Sequence, residues 1–181
     1  MKIVSVNVGG PREVQWRGRR VTTSIWKSPV QGRVRVGTLN LKGDEQSDLS
    51  VHGGADKAVY AYPVEHYPFW RNELPAIEFP FGAFGENLTI EGLLEADVRI
   101  GDRYEIGSAE FQVTQPRMPC FKLGIRFGRD DMIRRFLRSG RSGFYLAVLR
   151  EGEVESGDAI KFTGRDPDAP SVADVAALPE S

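Results

Sequence analysis

The chain has 181 residues, which is enough for one domain whose hydrophobic core needs neither disulfides nor a structural metal. Its 24 lysines and arginines are balanced by 25 aspartates and glutamates, so overall charge indicates neither a nucleic-acid nor a membrane partner. A single cysteine excludes an internal disulfide and a cysteine-rich zinc site. The first residues lack the apolar core and cleavage site of a signal peptide, and we therefore expect a soluble cytoplasmic protein.

Short apolar runs, separated by many of the 20 glycines and 11 prolines, predict a mainly β structure with tight turns. In chain order, the predicted strands are 2–8, 21–25, 33–39, 58–62, 98–100, 103–106, 109–114, 144–149 and 155–162. The last two are predicted to pair around a turn at 151–153. The pattern therefore favours a β-barrel with few helices.

Two helices interrupt the strands. The first is predicted over 63–74, because proline suits a first helical turn. The second is predicted over 130–139, where apolar and arginine side chains occupy different faces and Gly140 fits the left-handed position after the end. We assign 1–164 to one domain and 165–181 to a tail, with one helical turn at 172–178.

Cys120 lies in a segment in which Pro116 and Pro119 make the backbone stiff and extended. Arg117 and Lys122 lie close in sequence and would favour a thiolate over a thiol. A lone cysteine is more commonly a small buried hydrophobic residue. The residues by themselves leave both interpretations open.

A second candidate segment contains His52-Gly53-Gly54 and Lys57. Paired glycines permit close backbone approach to a ligand, and their N–H groups can hold an anion. The histidine and lysine can bind phosphate or relay protons. The alternative is a glycine turn between two strands.

Two further residues have equally open roles. Asn87 can read the edge of a heterocycle or hydrogen-bond its own backbone in a turn. Arg141 can clamp a phosphate with two donors or be a solvated surface charge.

Taken together, six ordered segments resemble the MOSC domain family, named after the C-terminal part of molybdenum cofactor sulfurase, and in particular its stand-alone bacterial YiiM-like branch. The matching segments are 23–30, 51–62, 84–88, 100–103, 115–123 and 140–145. The likeness covers about 1–162. YiiM-like proteins usually continue into a three-helix segment, so that segment is interpreted as absent or as reduced to a vestige within 165–181.

The resemblance implies a MOSC-type, pyruvate-kinase-like β-barrel and a pyranopterin molybdenum cofactor. Cys120 matches the family's proposed molybdenum ligand, and thiolate is a suitably soft donor. The residues expected to hold the cofactor are Lys57, Gly53, Gly54, Asn87, Arg117, Lys122 and Arg141.

The implied activity is reduction of N-hydroxylated compounds such as hydroxylaminopurines, a detoxification, with His52 as proton donor. No flavin, haem or iron–sulfur signature is present, so electrons are expected from a separate reductase. Three alternatives stay open: a sulfur carrier with a Cys120 persulfide, a pyridoxal-phosphate site with Lys57 as Schiff base, and a barrel used only for interactions. A homodimer is also left open.

Overall fold

The computed structural model describes residues 1–46 and 53–178, and it confirms a mainly β chain with few helices. In chain order, the strands are β1 (Lys2–Val8), β2 (Arg12–Trp16), β3 (Arg19–Thr23), β4 (Ser28–Pro29), β5 (Val34–Val36), β6 (Val59–Pro63), β7 (Leu88–Glu91), β8 (Arg103–Ile106), β9 (Ala109–Pro116), β10 (Phe144–Arg150), β11 (Gly152–Val154) and β12 (Ile160–Gly164). The α-helices are α1 (Tyr67–Glu73), α2 (Phe121–Phe127), α3 (Met132–Ser139) and α4 (Val172–Ala176). Short 3₁₀ turns, Ala55–Lys57 and Val64–His66, precede β6 and α1.

One large sheet carries the fold, in the order β12-β8-β9-β10-β6-β7-β1-β4. Its ladders are antiparallel except that between β6 and β7. The isolated bridge between Lys2 and Ala159, and a hydrogen bond from Ile160 N to Met1 O of 3.0 Å, bring β1 near the start of β12. Among residues 1–46 and 53–178 no ladder joins the two ends of this order, so closure into a barrel is not confirmed.

Two apolar clusters hold the helices and strands together. One fills the space between strands of the large sheet and includes Val6, Phe111 and Val113, each at most 1% exposed. The other is aromatic and packs α1 and α3 against the sheet. It includes Trp70, whose ring is stacked on that of Phe136 with 6.1 Å between the two ring centroids. Aromatic rings in such offset contacts stabilise beyond the area they bury.

The predicted pairing of 144–149 with 155–162 is wrong. β10 pairs with β6 and β9, β11 pairs with β5, and β12 pairs with β8. Gly152 lies so close to the turn before β9 that a Cβ would meet the Ser108 carbonyl carbon at 2.5 Å. The chain after β10 therefore continues past that turn, and β11 and β12 pair with strands that are more distant in sequence.

Other differences concern short elements. The predicted strand 98–100 forms only an isolated bridge between Arg99 and Ser171. Strand β2 was not expected, because its arginine-rich surroundings resemble loop charge, and α2 was not expected either. The helical turn near 172 is confirmed as α4, with a capping box between Ser171 and Asp174 and a fully buried Val172.

None of the helices within residues 1–46 and 53–178 is long and apolar enough to cross a membrane.

Gly143, which directly precedes β10, provides a test of how closely this part of the chain packs against β6. It has φ 62°, and a Cβ there would meet Ala61 O at 2.5 Å. Gly143→Ala should lower the free energy of unfolding by about 3 kcal/mol, because left-handed strain and a backbone clash add. Gly128→Ala is the matched control, with φ 63° and no atom within 4 Å of its Cβ, and should cost about 1 kcal/mol. Urea unfolding of both variants measures the difference, and equal losses would contradict this packing.

Candidate functional site

Cys120 lies in a cavity between the sheet and α2. The cavity is lined by Thr23, Ser24, Ile25, Lys27, Asp44, Glu45, Gln46, Lys57, Tyr60, Gly85, Asn87, Arg117, Met118, Cys120, Lys122 and Tyr145. It thus brings together five of the predicted site residues. These are Lys57, Asn87, Arg117, Cys120 and Lys122.

The remaining predicted site residues lie elsewhere. Gly53 and Gly54 precede the 3₁₀ turn that carries Lys57, and neither lines the cavity. Arg141 stands apart, with its Nη1 donating to Ser139 O at 2.8 Å and its guanidinium 3.7 Å from the Phe69 ring centre. His52 falls outside the described residues, so its predicted role as proton donor stays a prediction.

The backbone around Cys120 explains how the thiol reaches the cavity. β9 ends at Pro116, and α2 begins at Phe121 with Cys120 as its N-cap in an extended conformation. Cys120 O accepts from Leu123 N at 2.9 Å, which fixes the first turn. The same turn carries Lys122 into the cavity wall. The rigid loop expected here is therefore a strand-to-helix junction.

Arg117 is a buried cation without a carboxylate partner among the described residues. It is 7% exposed, and its guanidinium lies 4.9 Å from the Tyr60 ring centre and 5.5 Å from that of Phe136. Its Nη1 is buried and has no hydrogen-bond partner in the described ranges. Burial alone would lower the pKa of Arg117, but Tyr60, Tyr145 and Cys120 outweigh it and raise that pKa. The side chain therefore keeps its charge.

Lys122 is a second buried basic residue on the same wall. It is 8% exposed and makes no hydrogen bond or ion pair with any residue that the structure describes. Lys27, whose side chain is 9% exposed, is by contrast paired, with its Nζ 2.5 Å from Asp44 Oδ1. Burying a charged or polar group without a partner costs free energy. The wall with Arg117 and Lys122 therefore suits an anionic ligand.

The loop that carries Gly85 and Asn87 to the cavity depends on Glu86, which is fully buried. Its Oε1 accepts from Gly82 N at 2.9 Å and Thr89 Oγ1 at 3.0 Å, and its Oε2 accepts from Phe84 N at 3.0 Å. The Tyr67 hydroxyl also donates to Oε1. These bonds fix the loop that brings Asn87 to the cavity.

The side-chain amide of Asn87 is already used by the fold. Its Oδ1 accepts from Tyr60 N at 3.0 Å, and its Nδ2 donates to Asn7 O at 3.4 Å. Asn87 N also donates to Tyr60 O at 2.8 Å. A sequence cannot show which partners an amide finds, so its expected role in reading a ligand edge stays a prediction.

Ser24 is a cavity residue that the sequence did not single out. It is 8% exposed, and its Oγ is buried without a hydrogen-bond partner among the described residues. The available signal was its place in the segment 23–30, the first of those that match the family. Within the described ranges, no group of three His, Cys, Asp or Glu side chains is placed to hold a metal ion.

Comparison with known proteins identifies the family of the chain that forms this cavity. The MOSC domain profile matches residues 48–161, which is more than half of the chain. The chain belongs to the MOSC domain family. This MOSC chain is 43% identical to YflK of Bacillus subtilis over 163 residues, which are 90% of the chain and 73% of YflK. It is 39% identical to YiiM of Escherichia coli over 158 residues, 86% of the chain and 70% of YiiM.

A third relative and a crystal structure extend this comparison. A Gibberella moniliformis protein named Reductase is 38% identical over 151 residues, which are 82% of this chain and only 27% of that protein. The crystal structure of YiiM from Geobacillus stearothermophilus matches with a TM-score of 0.79 and 40% identity, over 97% of this chain and 81% of that one. The expected membership of the stand-alone YiiM-like branch is confirmed.

Lys122 and Lys27, of which only Lys27 has an ion-pair partner among the described residues, provide a matched test of the wall that carries Arg117 and Lys122. Lys122→Met should leave the stability of the ligand-free protein unchanged or raise it by up to about 2 kcal/mol, because no partner is lost. Lys27→Met should lower it by about 3 kcal/mol, because Asp44 loses its buried counter-ion. Urea unfolding measures both, and a large loss in Lys122→Met would show that Lys122 serves the fold.

Glu86 predicts a pH dependence of stability. Burial raises its pKa above the ordinary 4.5, and the hydrogen bonds that it accepts offset only part of this rise. The folded protein then binds the proton more tightly than the unfolded chain. The stability that this adds is complete below about pH 4.5 and is lost as pH rises through the folded-state pKa, at ~1.4 kcal/mol per unit of elevation.

In Glu86→Gln this pH-dependent loss should be absent. The stability of the wild type relative to this variant should therefore fall as pH rises above about 4.5. Urea unfolding of both proteins across pH 4.5–7.5, taken as a difference at each pH, measures the effect. A difference that does not change with pH would contradict the raised pKa.

Proposed function

We propose that this MOSC protein is a molybdenum-cofactor-dependent oxidoreductase that reduces N-hydroxylated compounds, such as hydroxylaminopurines, in the Cys120 cavity. One observation carries the proposal. A single cavity combines a cysteine with two buried basic side chains, Arg117 and Lys122, that have no counter-ion among the described residues. Buried charge without a partner lowers the stability of the ligand-free protein. An anionic ligand would neutralise that charge, which explains why the two side chains lie there.

The residues present fit a pyranopterin molybdenum cofactor. That group carries a phosphate, and the orphaned Nη1 of Arg117 offers a buried, charge-assisted donor of the kind that anions prefer. Cys120 would be the metal ligand, and Lys57 and Lys122 would contribute further positive charge at the same cavity. When bound, the cofactor supplies the two-electron redox chemistry that the side chains themselves lack.

The protein's contribution is the positioning of charged groups. Arg117 is held by the rings of Tyr60 and Phe136, so its guanidinium keeps one orientation. The Tyr60 hydroxyl donates to Ser142 O at 2.7 Å and thereby fixes its ring. Preorganised groups lose little freedom when a ligand binds. We assign His52 as the donor of the proton that the leaving water needs, because the intrinsic pKa of a histidine side chain is near neutral.

We propose a separate reductase as the source of electrons. The Gibberella moniliformis relative supports a redox role, because it is named a reductase and this chain corresponds to only part of its length. The barrel closure, a cytoplasmic location and a homodimer stay predictions.

The test is to purify the protein from a host that makes the cofactor. Elemental analysis should find about one molybdenum per wild-type chain. The molybdenum content of Cys120→Ala should be at least about tenfold lower. Met118→Leu is the matched control, because it removes a cavity sulfur while conserving volume, and should retain the metal. Hydroxylaminopurine reduction should follow the molybdenum content.

Equal molybdenum or equal activity in Cys120→Ala would contradict the ligand role. Absence of molybdenum together with one extra sulfur on Cys120 in intact-mass measurement would favour the sulfur-carrier alternative. A visible absorption band after addition of pyridoxal phosphate, lost in Lys57→Ala, would favour the third possibility.

A further inference from the structure

Arg126, in α2, is a cation outside the cavity lining that the fold leaves without a counter-ion. Its Nε is buried and has no hydrogen-bond partner among the described residues. Its guanidinium carbon lies 6.0 Å from the ring centre of Trp26 and 5.4 Å from that of Phe127. Burial lowers the pKa of Arg126, and the charge of Arg12 lowers it further. A cation in this position is costly unless an anion neutralises it.

Arg12 approaches the same indole from another part of the chain. It is the first residue of β2, it is exposed, and its guanidinium carbon lies 5.8 Å from the Trp26 ring centre. It forms no hydrogen bond or ion pair with any residue that the structure describes. The adjacent Glu13 points to the other face of β2, because side chains alternate along a strand. Two unpaired guanidinium groups therefore lie within 6.0 Å of one ring centre.

Two connections place these arginines next to the Cys120 cavity. Lys122, in the cavity wall, and Arg126 are four residues apart in α2. They therefore lie on one face of the helix, about one turn or 5.4 Å apart along its axis. Trp26 belongs to the segment 23–27, whose other members all line the cavity. Positive charge without a counter-ion in the described ranges thus continues from the cavity wall towards β2.

A phosphate group suits this pair of arginines. The planar guanidinium presents donors that match phosphate oxygens, and a phosphate monoester carries enough negative charge to offset two cations. Cation–π attraction to Trp26 restrains both guanidinium groups, so they lose little freedom when a ligand binds. A nucleotide has the corresponding form, because its ribose separates a heterocyclic base from a phosphate.

We propose that Arg12 and Arg126 form a phosphate subsite, which holds the phosphate of an N-hydroxylated purine nucleotide whose base lies in the Cys120 cavity. Arg117 and Lys122 remain the anion-binding groups of the cavity itself. The inference rests on the proposed function, and it extends that function by naming nucleotides, instead of free bases, as the substrate class.

The first arm of the test compares AMP with adenosine in calorimetric titrations of the full chain, purified from a host that makes the cofactor. Neither compound is N-hydroxylated, so neither is reduced. The wild type should bind AMP about a hundredfold more tightly, because only AMP offers a charged acceptor to the two arginines. Arg126→Gln and Arg12→Gln should each weaken AMP binding about tenfold and leave adenosine binding unchanged.

Arg71→Gln is the matched control. It also removes one guanidinium that lies against a ring, 5.6 Å from the Tyr67 ring centre, but Arg71 does not line the cavity. Both affinities should stay unchanged in this variant. Because Arg12 is exposed, Arg12→Gln tests the subsite even if Arg126→Gln folds poorly.

The second arm separates a substrate phosphate from the phosphate of the cofactor, which is the other source of the same chemistry. The molybdenum content of Arg12→Gln and Arg126→Gln should equal that of the wild type. The wild type should reduce hydroxylaminopurine ribonucleoside monophosphate with a kcat/KM about a hundredfold above that for the ribonucleoside. Each arginine variant should lower this ratio about tenfold.

Three results would overturn the subsite. The first is equal affinity of the wild type for AMP and adenosine. The second is a loss of AMP affinity in Arg71→Gln as large as that in Arg126→Gln. The third is a loss of molybdenum in the arginine variants, which would assign the two arginines to the cofactor.

The affinities for AMP and adenosine do not depend on the reduction reaction, so the subsite and the proposed function can fail separately. A chain without molybdenum that still prefers AMP would contradict the proposed reduction and retain the phosphate subsite. A chain with molybdenum that binds both compounds equally would retain the proposed reduction and contradict the subsite.

Discussion

The buried carboxylate of Glu86 is the constraint on which the cavity depends. It accepts hydrogen bonds from Tyr67 on α1, from Thr89 on β7 and from two backbone amides in the loop between them. One side chain thus fixes a helix, a strand and the chain that joins them. Asn87 follows directly and ties the same loop to Tyr60 in β6. Without these bonds, that side of the cavity would have no fixed position.

The cavity itself departs from the rule that buried polar groups are paired. Arg117 and Ser24 both have buried polar atoms without partners in the described residues, and both line the Cys120 cavity. A third such atom in the described residues, Arg126 Nε, lies outside the cavity lining, whereas Lys27 and Asp44, which also line the cavity, are paired with each other. Two of these three unpaired groups thus lie at one cavity, which is typical of a site that sacrifices stability for ligand binding.

Sequence patterns predicted the elements that depend on local periodicity. β1 has the predicted bounds, and α3 ends at Gly140 in the expected left-handed conformation. The strand-to-helix junction at Cys120 was missed, because proline-rich sequence favours extended chain and α2 is only seven residues long. The pairing of β10, β11 and β12 was also missed, since the partners of a strand depend on distant residues.

By itself, the sequence determined the family and the mainly β class, because ordered motifs and alternation of apolar residues are local properties. Only the tertiary structure decided which polar groups meet. It placed Arg141 on Phe69 and away from the cavity, used the Asn87 amide within the fold, and brought in Ser24. The physical reason is that the hydrogen-bond partners of a side chain are set by packing between distant segments, which no spacing along the chain encodes.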